Sequence, residues 1–290
     1  MLAWDYAALS AGGLGALIVL VSIVARRLDL LEDARAEIET ARKHTENRVF
    51  VQSCDVADFS AVQRAINAAN AFHGGATDHL VCCAGYVQPG YFLEQDVSIF
   101  KRMVDVNYLG SVHVVKAALP AMVASPAPNR RIVFVASAFS LISCIGVAQY
   151  AASKYALRGL AEALRNELKM FDIGISVFYA GNIDTPCFEE EQRLMPHEGK
   201  TIEGVSAPLS PDKAAQQMIN GVAGGEFSIT NDPLVFLLRI LSNGVTPRWN
   251  SPLELVLLPL IVPIQMAFLV FMDSVVLWSR RQRQAKDKTA

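Results

Sequence analysis

The spacing of apolar positions changes several times along the chain. Residues 21–26 form a short β-branched run ending in Arg26, and residues 28–42 place apolar side chains at helical spacing. The same alternation continues downstream. Runs at 48–52, 79–85, 130–137 and 174–181 predict strands, and stretches at 60–72, 104–122 and 150–171 predict helices. Near-continuous apolar strands separated by helices predict an α/β fold. Its parallel, doubly wound sheet is covered on both faces. Such sheets bind ligands beyond the carboxyl ends of their strands, so the chemistry is expected just after each run.

Two longer apolar stretches lie outside this alternation. Residues 6–25 and 255–272 carry no charge. A spanning helix needs about 20 apolar residues, so both ends are membrane candidates. Pro259 and Pro263 are expected to interrupt the second stretch, because an internal proline breaks or kinks a helix. Arg280, Arg281 and Arg283 follow it and favour a cytosolic tail. With both flanks cytosolic, this segment is expected to dip into the bilayer and return. The alternative is an apolar helix packed against a second copy.

Composition narrows the function classes. Hydrophobic residues make up 52% of the 290, which is high for a soluble enzyme, and the formal net charge of −2 gives no basic field for nucleic acid. Cys54, Cys82, Cys83, Cys144 and Cys187 form no C-x-x-C pair, and the five histidines are scattered. The sequence thus offers no metal-ligand spacing, and the cysteines read as reduced core or loop residues.

The candidate chemistry lies at Tyr150 and Lys154, one helical turn apart on one face. A lysine ammonium favours the phenolate and is expected to lower the tyrosine pKa, which makes the pair a general acid/base for a carbonyl or alcohol. Ser137 ends the strand before it and offers a hydroxyl to a carbonyl oxygen. Asn107 offers a buried amide that fixes backbone or water near the lysine.

Asn107, Ser137, Tyr150 and Lys154 resemble, in order and spacing, the Asn-Ser-Tyr-Lys tetrad of the short-chain dehydrogenases/reductases. The turn C-C-A-G at 82–85 is similar to that family's N-N-A-G, with cysteines in place of asparagines. C-D-V at 54–56 resembles its adenine-contacting Asp-Val. A-G-N-I-D-T-P at 180–186 resembles its nicotinamide-covering segment, with Ala180 in place of a proline. The resemblance covers about residues 21–230. It implies a Rossmann-type fold and a dinucleotide held by Asp55, Val56, Ala84, Gly85, Tyr150, Lys154, Ile183 and Thr185. It also implies proton donation by Tyr150, with Lys154 lowering its pKa and binding the nicotinamide ribose. Ser137 polarises the substrate oxygen and Asn107 supports a proton relay. Arg26 and Arg27, after the strand that ends near the adenosine ribose, suit the 2′-phosphate of NADPH; the alternative is a solvated basic turn.

Within the family, G-Y-F-L-E-Q at 90–95, N-Y-L-G-S-V-H-V-V-K-A at 107–117, A-S-K-Y-A-L-R-G-L-A-E-A-L at 152–164, the K-D-K-T-A tail and the two apolar ends resemble members acting on long-chain sphingoid ketones. That implies such a lipid as substrate, with steroids, retinoids and acyl chains as alternatives. Lysines at 286 and 288 are similar to the dilysine retrieval signal of endoplasmic-reticulum membrane proteins, which implies a catalytic domain facing the cytosol. Family members commonly pair through the helices that correspond to 104–122 and 150–171. The expected organisation is a membrane anchor at 1–20, a reductase domain at 21–232 and a membrane-associated segment with a basic tail at 233–290.

One feature departs from the family. Its phosphate loop needs a strand, a glycine turn and a helix within about 30 residues. Here Gly12, Gly13 and Gly15 are followed by Arg26 with no space for that helix. The glycines read as a close-packing patch in an apolar helix, and the first strand, glycine loop and first helix are expected to be missing. Weak or absent NADPH binding follows. Two readings stay open: an anchored reductase, and a silent membrane-bound relative that keeps the fold.

Overall fold

The computed structural model describes residues 20–41, 48–242 and 253–287. The chain begins as two β-α units: β1 (Val21–Ala25), α1 (Leu28–Ala41), β2 (Val49–Ser53) and α2 (Phe59–His73). Next come β3 (His79–Cys82), α3 (Val97–Met103), a π-helical turn over Val104–Leu109 and α4 (Gly110–Ala124). Strand β4 (Arg131–Val135) leads through a short 3-10 turn, Ala138–Ser140, into α5 (Ala148–Glu167). The last part holds β5 (Gly174–Tyr179), α6 (Pro186–Leu194), α7 (His197–Glu203), α8 (Pro211–Ala223), β6 (Ser228–Thr230), α9 (Pro233–Ser242) and α10 (Leu253–Asp287).

All strand pairs are parallel. Strands β3, β4, β5 and β6 pair in that order, and β1 pairs with β2. The alternation of side chains sends successive residues to opposite faces. Ile132 and Phe134 of β4 and Ile175 and Val177 of β5 pack with Val115, Met122, Leu157 and Ala161 of α4 and α5. Val133 and Phe178 point the other way, against Ala214 and Met218 of α8. Both faces of β4 and β5 are therefore dry, which explains why these runs are apolar apart from Arg131 and Ser176, which bond each other.

Among the described residues, no strand pairs with the second edge of β1 or with the second edge of β3. The two sheet pieces are joined instead through helices. Cys54, Val62 and Ala65 form a core patch with Val24 of β1 and Val114 and Ala117 of α4. Ile66 and Val114 also touch the main core, so α2 and α4 bind the β1–β2 pair to the larger sheet. Gly12, Gly13, Gly15 and most of the expected N-terminal anchor lie outside the described residues.

Helix α10 differs from expectation. It runs through both Pro259 and Pro263 without ending. Each proline removes one N–H from a ladder of 35 residues, and the bonds on either side carry the helix past both. Over Pro259–Ser279 it is, among the described residues, the one helix long and apolar enough to cross a membrane. It also packs on the catalytic body. Ile261, Phe268 and Ser279 share one helical face. Ile261 is buried, Phe268 enters a cleft, and the Ser279 hydroxyl donates to the buried carboxylate of Glu198 in α7. Glu198 also accepts from the Tyr91 hydroxyl at 2.6 Å. Away from this face, Val256, Leu260, Met266, Val270 and Trp278 are exposed.

Phe134 is fully buried at the centre of the four-stranded sheet. Phe134→Ala should cost about 3–5 kcal/mol of unfolding free energy, read from denaturant midpoints. A loss below about 1 kcal/mol would show that the site can collapse and that β4 is not the core strand.

Candidate active site

The expected residues follow the carboxyl ends of the strands, which run parallel within each sheet piece. Arg26 and Arg27 follow β1, Asp55 and Val56 follow β2, Ala84 and Gly85 follow β3, Ser137 follows β4, and Ile183 and Thr185 follow β5. Tyr150 and Lys154 lie in the first turns of α5, beside the same edge.

Asn107 is fully buried within the π-helical turn. Its Oδ1 accepts from the Tyr86 N–H at 2.7 Å, and its Nδ2 donates to the Tyr86 carbonyl and to the Ser153 hydroxyl, both at 2.9 Å. One amide thus clamps the turn after β3 to helix α5. The π turn is what swings it inward, and single π turns recur at functional sites. At Gly85, an added Cβ would sit 3.7 Å from Asn107 Oδ1 and 3.9 Å from Lys154 Nζ. The exposed Cys83-Ala84-Gly85 backbone therefore lies directly beside the lysine.

Lys154 is buried, and its ammonium donates to the Val135 carbonyl at 3.0 Å. Its Nζ lies 5.7 Å from the centre of the Tyr150 ring. Burial lowers the lysine pKa to about 8, a shift opposed by nearby Cys83, Cys187 and Glu191. Ser137 caps the 3-10 turn, its hydroxyl accepting from the Phe139 N–H at 3.2 Å. The Phe139 ring meets Tyr150 edge-on at 6.1 Å.

The expectation that Lys154 holds the Tyr150 pKa down is not met in this arrangement. Burial pushes the phenol up, Glu191 adds to the rise, and a hydrogen bond with Ser137 only partly offsets it; Cys187 and Glu203 push it up further. The lysine is committed to Val135, while carboxylates stand closer in effect than its charge. Tyr150 is thus held as a protonated acid, the form that a carbonyl reduction needs.

Other expected residues have structural partners as well. Asp55 accepts from the Ala57 N–H at 3.0 Å, and the Val56 carbonyl bonds His113 at 2.8 Å. Val56 packs so tightly on Gly110 that a Cβ there would lie 2.7 Å from its side chain. Ile183 bridges to Leu209, and Thr185 caps α6 by accepting from the Phe188 N–H at 3.2 Å. Arg26 and Arg27 are exposed, and neither guanidinium meets a carboxylate among the described residues. All five cysteines are free; Cys54 and Cys82 are core residues, while Cys83 and Cys187 are exposed.

Ser137 and Tyr150 open onto a cleft of about 210 Å³. Its apolar wall includes Ile142, Phe188, Leu234, Leu238 and Phe268, from the 3-10 region, α6, α9 and α10. Glu191 and Glu203 also line it. These two carboxylates and Phe268 were not legible as site residues. Glu191 ends an acidic run, Glu189-Glu190-Glu191, whose pattern reads as a solvated face, and Phe268 lies in an apolar stretch that reads as a bilayer candidate.

A nicotinamide dinucleotide fits one part of this edge by its own chemistry. The buried lysine, the open backbone at Ala84 and Gly85, and the hydroxyls of Ser137 and Tyr150 form a polar cradle. Among the described residues, no glycine-rich turn opens a helix toward it to hold a pyrophosphate.

The chain belongs to the short-chain dehydrogenase family. The family profile "short chain dehydrogenase" matches residues 11–195, which begins ahead of β1 and includes Asn107, Ser137, Tyr150 and Lys154. Among curated proteins, the chain is 33% identical over 278 residues to 3-ketodihydrosphingosine reductase of Dictyostelium discoideum, covering 92% of this chain and 83% of that one. It is 35% identical over 275 residues to 3-dehydrosphinganine reductase of Danio rerio, covering 92% and 82%. Among solved structures, a short chain dehydrogenase/reductase of Burkholderia phymatum in complex with NAD superposes with a TM-score of 0.66 at 20% identity, covering 77% of this chain and 92% of that one. The family and fold make this chain a nicotinamide-dependent oxidoreductase.

Burial raises the Glu191 pKa from 4.5 to about 8, with Glu203 adding to the rise and Lys154 opposing it. Folded Glu191 therefore keeps its proton up to about pH 8, and unfolded Glu191 up to about 4.5. Its stabilising share is full below the lower value and is lost as pH rises through the upper one. In urea melts, Glu191→Gln should gain on the parent chain between about pH 5 and about pH 8. A difference that stays constant with pH would contradict the assignment.

Proposed function

We propose that the chain reduces the 3-keto group of 3-ketodihydrosphingosine to dihydrosphingosine, with NADPH as the reductant. The relatives reported above carry that substrate in their names and span nearly the whole chain. The single structural observation behind the reading is the cleft itself. It is lined both by the reactive hydroxyls and by Phe268 of an apolar helix long enough for a bilayer. A long-chain ketone can leave its alkyl tail against α9 and α10 while its carbonyl reaches Ser137 and Tyr150.

When bound, the nicotinamide supplies the hydride to the carbonyl carbon. Lys154, Ala84, Gly85, Ile183 and Thr185 are the residues that would hold its nicotinamide half, with Asp55 and Val56 nearer the adenine. Ser137 orients the carbonyl oxygen, and the Tyr150 hydroxyl donates its proton there. The Lys154 ammonium stays on the Val135 carbonyl, so the phenol's own burial and the Ser137 hydroxyl set its acidity. Asn107 keeps the turn after β3 and helix α5 in register beneath these groups. Arg26 and Arg27, free of carboxylate partners among the described residues, supply guanidinium charge for a 2′-phosphate.

The exposed apolar positions of α10 give the protein its membrane face, with the catalytic domain on the cytosolic side of the endoplasmic reticulum, where NADPH is available. Two copies pair through α4 and α5.

The test is reduction of the ketone by the full chain in detergent micelles. NADPH should support turnover, and Tyr150→Phe should lower it by about 10²–10⁴-fold. Replacing Arg26 and Arg27 together by Glu should move the preference toward NADH. A ketone that persists with either nucleotide would refute the reading. Equal use of both nucleotides by the parent chain would refute its NADPH part.

A further inference from the structure

Two carboxylates in the cleft have no part in the proton and hydride chemistry. Glu191 of α6 and Glu203 at the end of α7 line the same cleft as Ser137 and Tyr150. Both are reachable from the cleft yet ringed by protein. Glu203 accepts from Gln192 Nε2 at 2.5 Å. No described residue donates a hydrogen bond to the Glu191 carboxylate.

The charged and titratable groups facing Glu191 are Lys154 and Tyr150 of α5, Glu203 of α7, Cys144 before α5, and Cys187 of its own helix. Of these, only Lys154 is a cation, and its ammonium is bonded to Val135. Two carboxylates thus share a desolvated wall with too little positive charge. Burial raises the pKa of both, because ionising a carboxyl there is harder than in water. A cation entering the cleft would remove that cost.

The rest of the cleft restricts which cation. A carbonyl oxygen belongs at Ser137 and Tyr150, and an alkyl chain belongs against Leu234, Leu238 and Phe268. A sphingoid ketone has a primary amine on the carbon next to its keto group and a long chain on the other side. One ligand therefore meets three parts of one cleft: oxygen, ammonium and tail.

We infer that Glu191 and Glu203 bind the ammonium group of the amino-ketone substrate and so select sphingoid ketones over ketones of equal length that lack the amine. This inference rests on the proposed substrate reading. It assigns specificity to a carboxylate pair that the proton and hydride steps leave unused. A charge-assisted hydrogen bond of this kind also draws negative charge away from Tyr150, which Glu191 otherwise opposes in ionising.

The experiment compares two ligands on the full chain in detergent micelles by titration calorimetry: dihydrosphingosine and the same long-chain alcohol without its amine. The parent chain should bind the amine-bearing ligand at least about tenfold more tightly. Glu191→Gln and Glu203→Gln should each remove most of that ratio. Binding of the desamino alcohol reports that a variant's cleft is folded, and the second variant serves if the first is not. Equal binding of both ligands by the parent chain overturns the inference alone, as does a ratio unchanged in both variants. Binding of neither ligand overturns the inference together with the substrate reading beneath it.

Discussion

The Asn107 side chain is the joint on which this site depends. Its amide is buried and bonds both backbone polar atoms of Tyr86 and the hydroxyl of Ser153. It fixes the turn after β3 against the helix that carries Tyr150 and Lys154. Losing one partner of such a buried network leaves others unsatisfied, at about 1–3 kcal/mol each. The turn and the helix come from segments far apart in sequence. The loop after β3 is tied to α5 a second time, where Gln149 Nε2 donates to the Gln88 carbonyl at 2.6 Å, but the Asn107 amide is the tie beside Gly85. The π-helical turn over Val104–Leu109 is the local distortion that aims it.

Burial then sets the chemistry. The same desolvation that lowers Lys154 raises Tyr150, Glu191 and Glu203, and it acts on all four because they share one enclosed edge. The tyrosine is kept protonated and the lysine is poised near neutral pH. An isolated Tyr-Lys pair on an exposed helix would show neither property. The cleft walls, supplied by α6, α7, α9 and α10, are thus as much a part of the reactivity as the tetrad.

Much of this was legible in the sequence. The runs at 21–26, 130–137 and 174–181 became β1, β4 and β5, because continuous β-branched runs suit strands buried on both faces. The stretch at 104–122 gave a helical segment, but its π turn left no mark in the apolar spacing. The walls were harder to read. Helices α6 and α7 are short and polar in pattern, and β6 has only three residues, too few for a periodic signal. Glu191 looked like one more charge in an acidic run. Pro259 and Pro263 looked like breaks, because each lacks the N–H of the helical ladder, yet α10 continues through both. The tyrosine pKa was misjudged for a related reason: spacing placed the lysine nearby but could not reveal the carboxylates of α6 and α7.

The fold also brings its long apolar helix to the site. Ile261, Phe268 and Ser279 join α10 to the catalytic body along one face, and exposed apolar side chains occupy other positions on it. The central claim is that the edge built around Lys154 holds a nicotinamide cofactor in this chain, although no glycine-rich helix start faces it among the described residues. The most direct measurement is a titration of NADPH into the detergent-solubilised full chain, followed by nicotinamide fluorescence, with Lys154→Met beside it. The account predicts saturable binding that Lys154→Met weakens. A folded chain that shows no saturable binding, or binding indifferent to Lys154→Met, would contradict it.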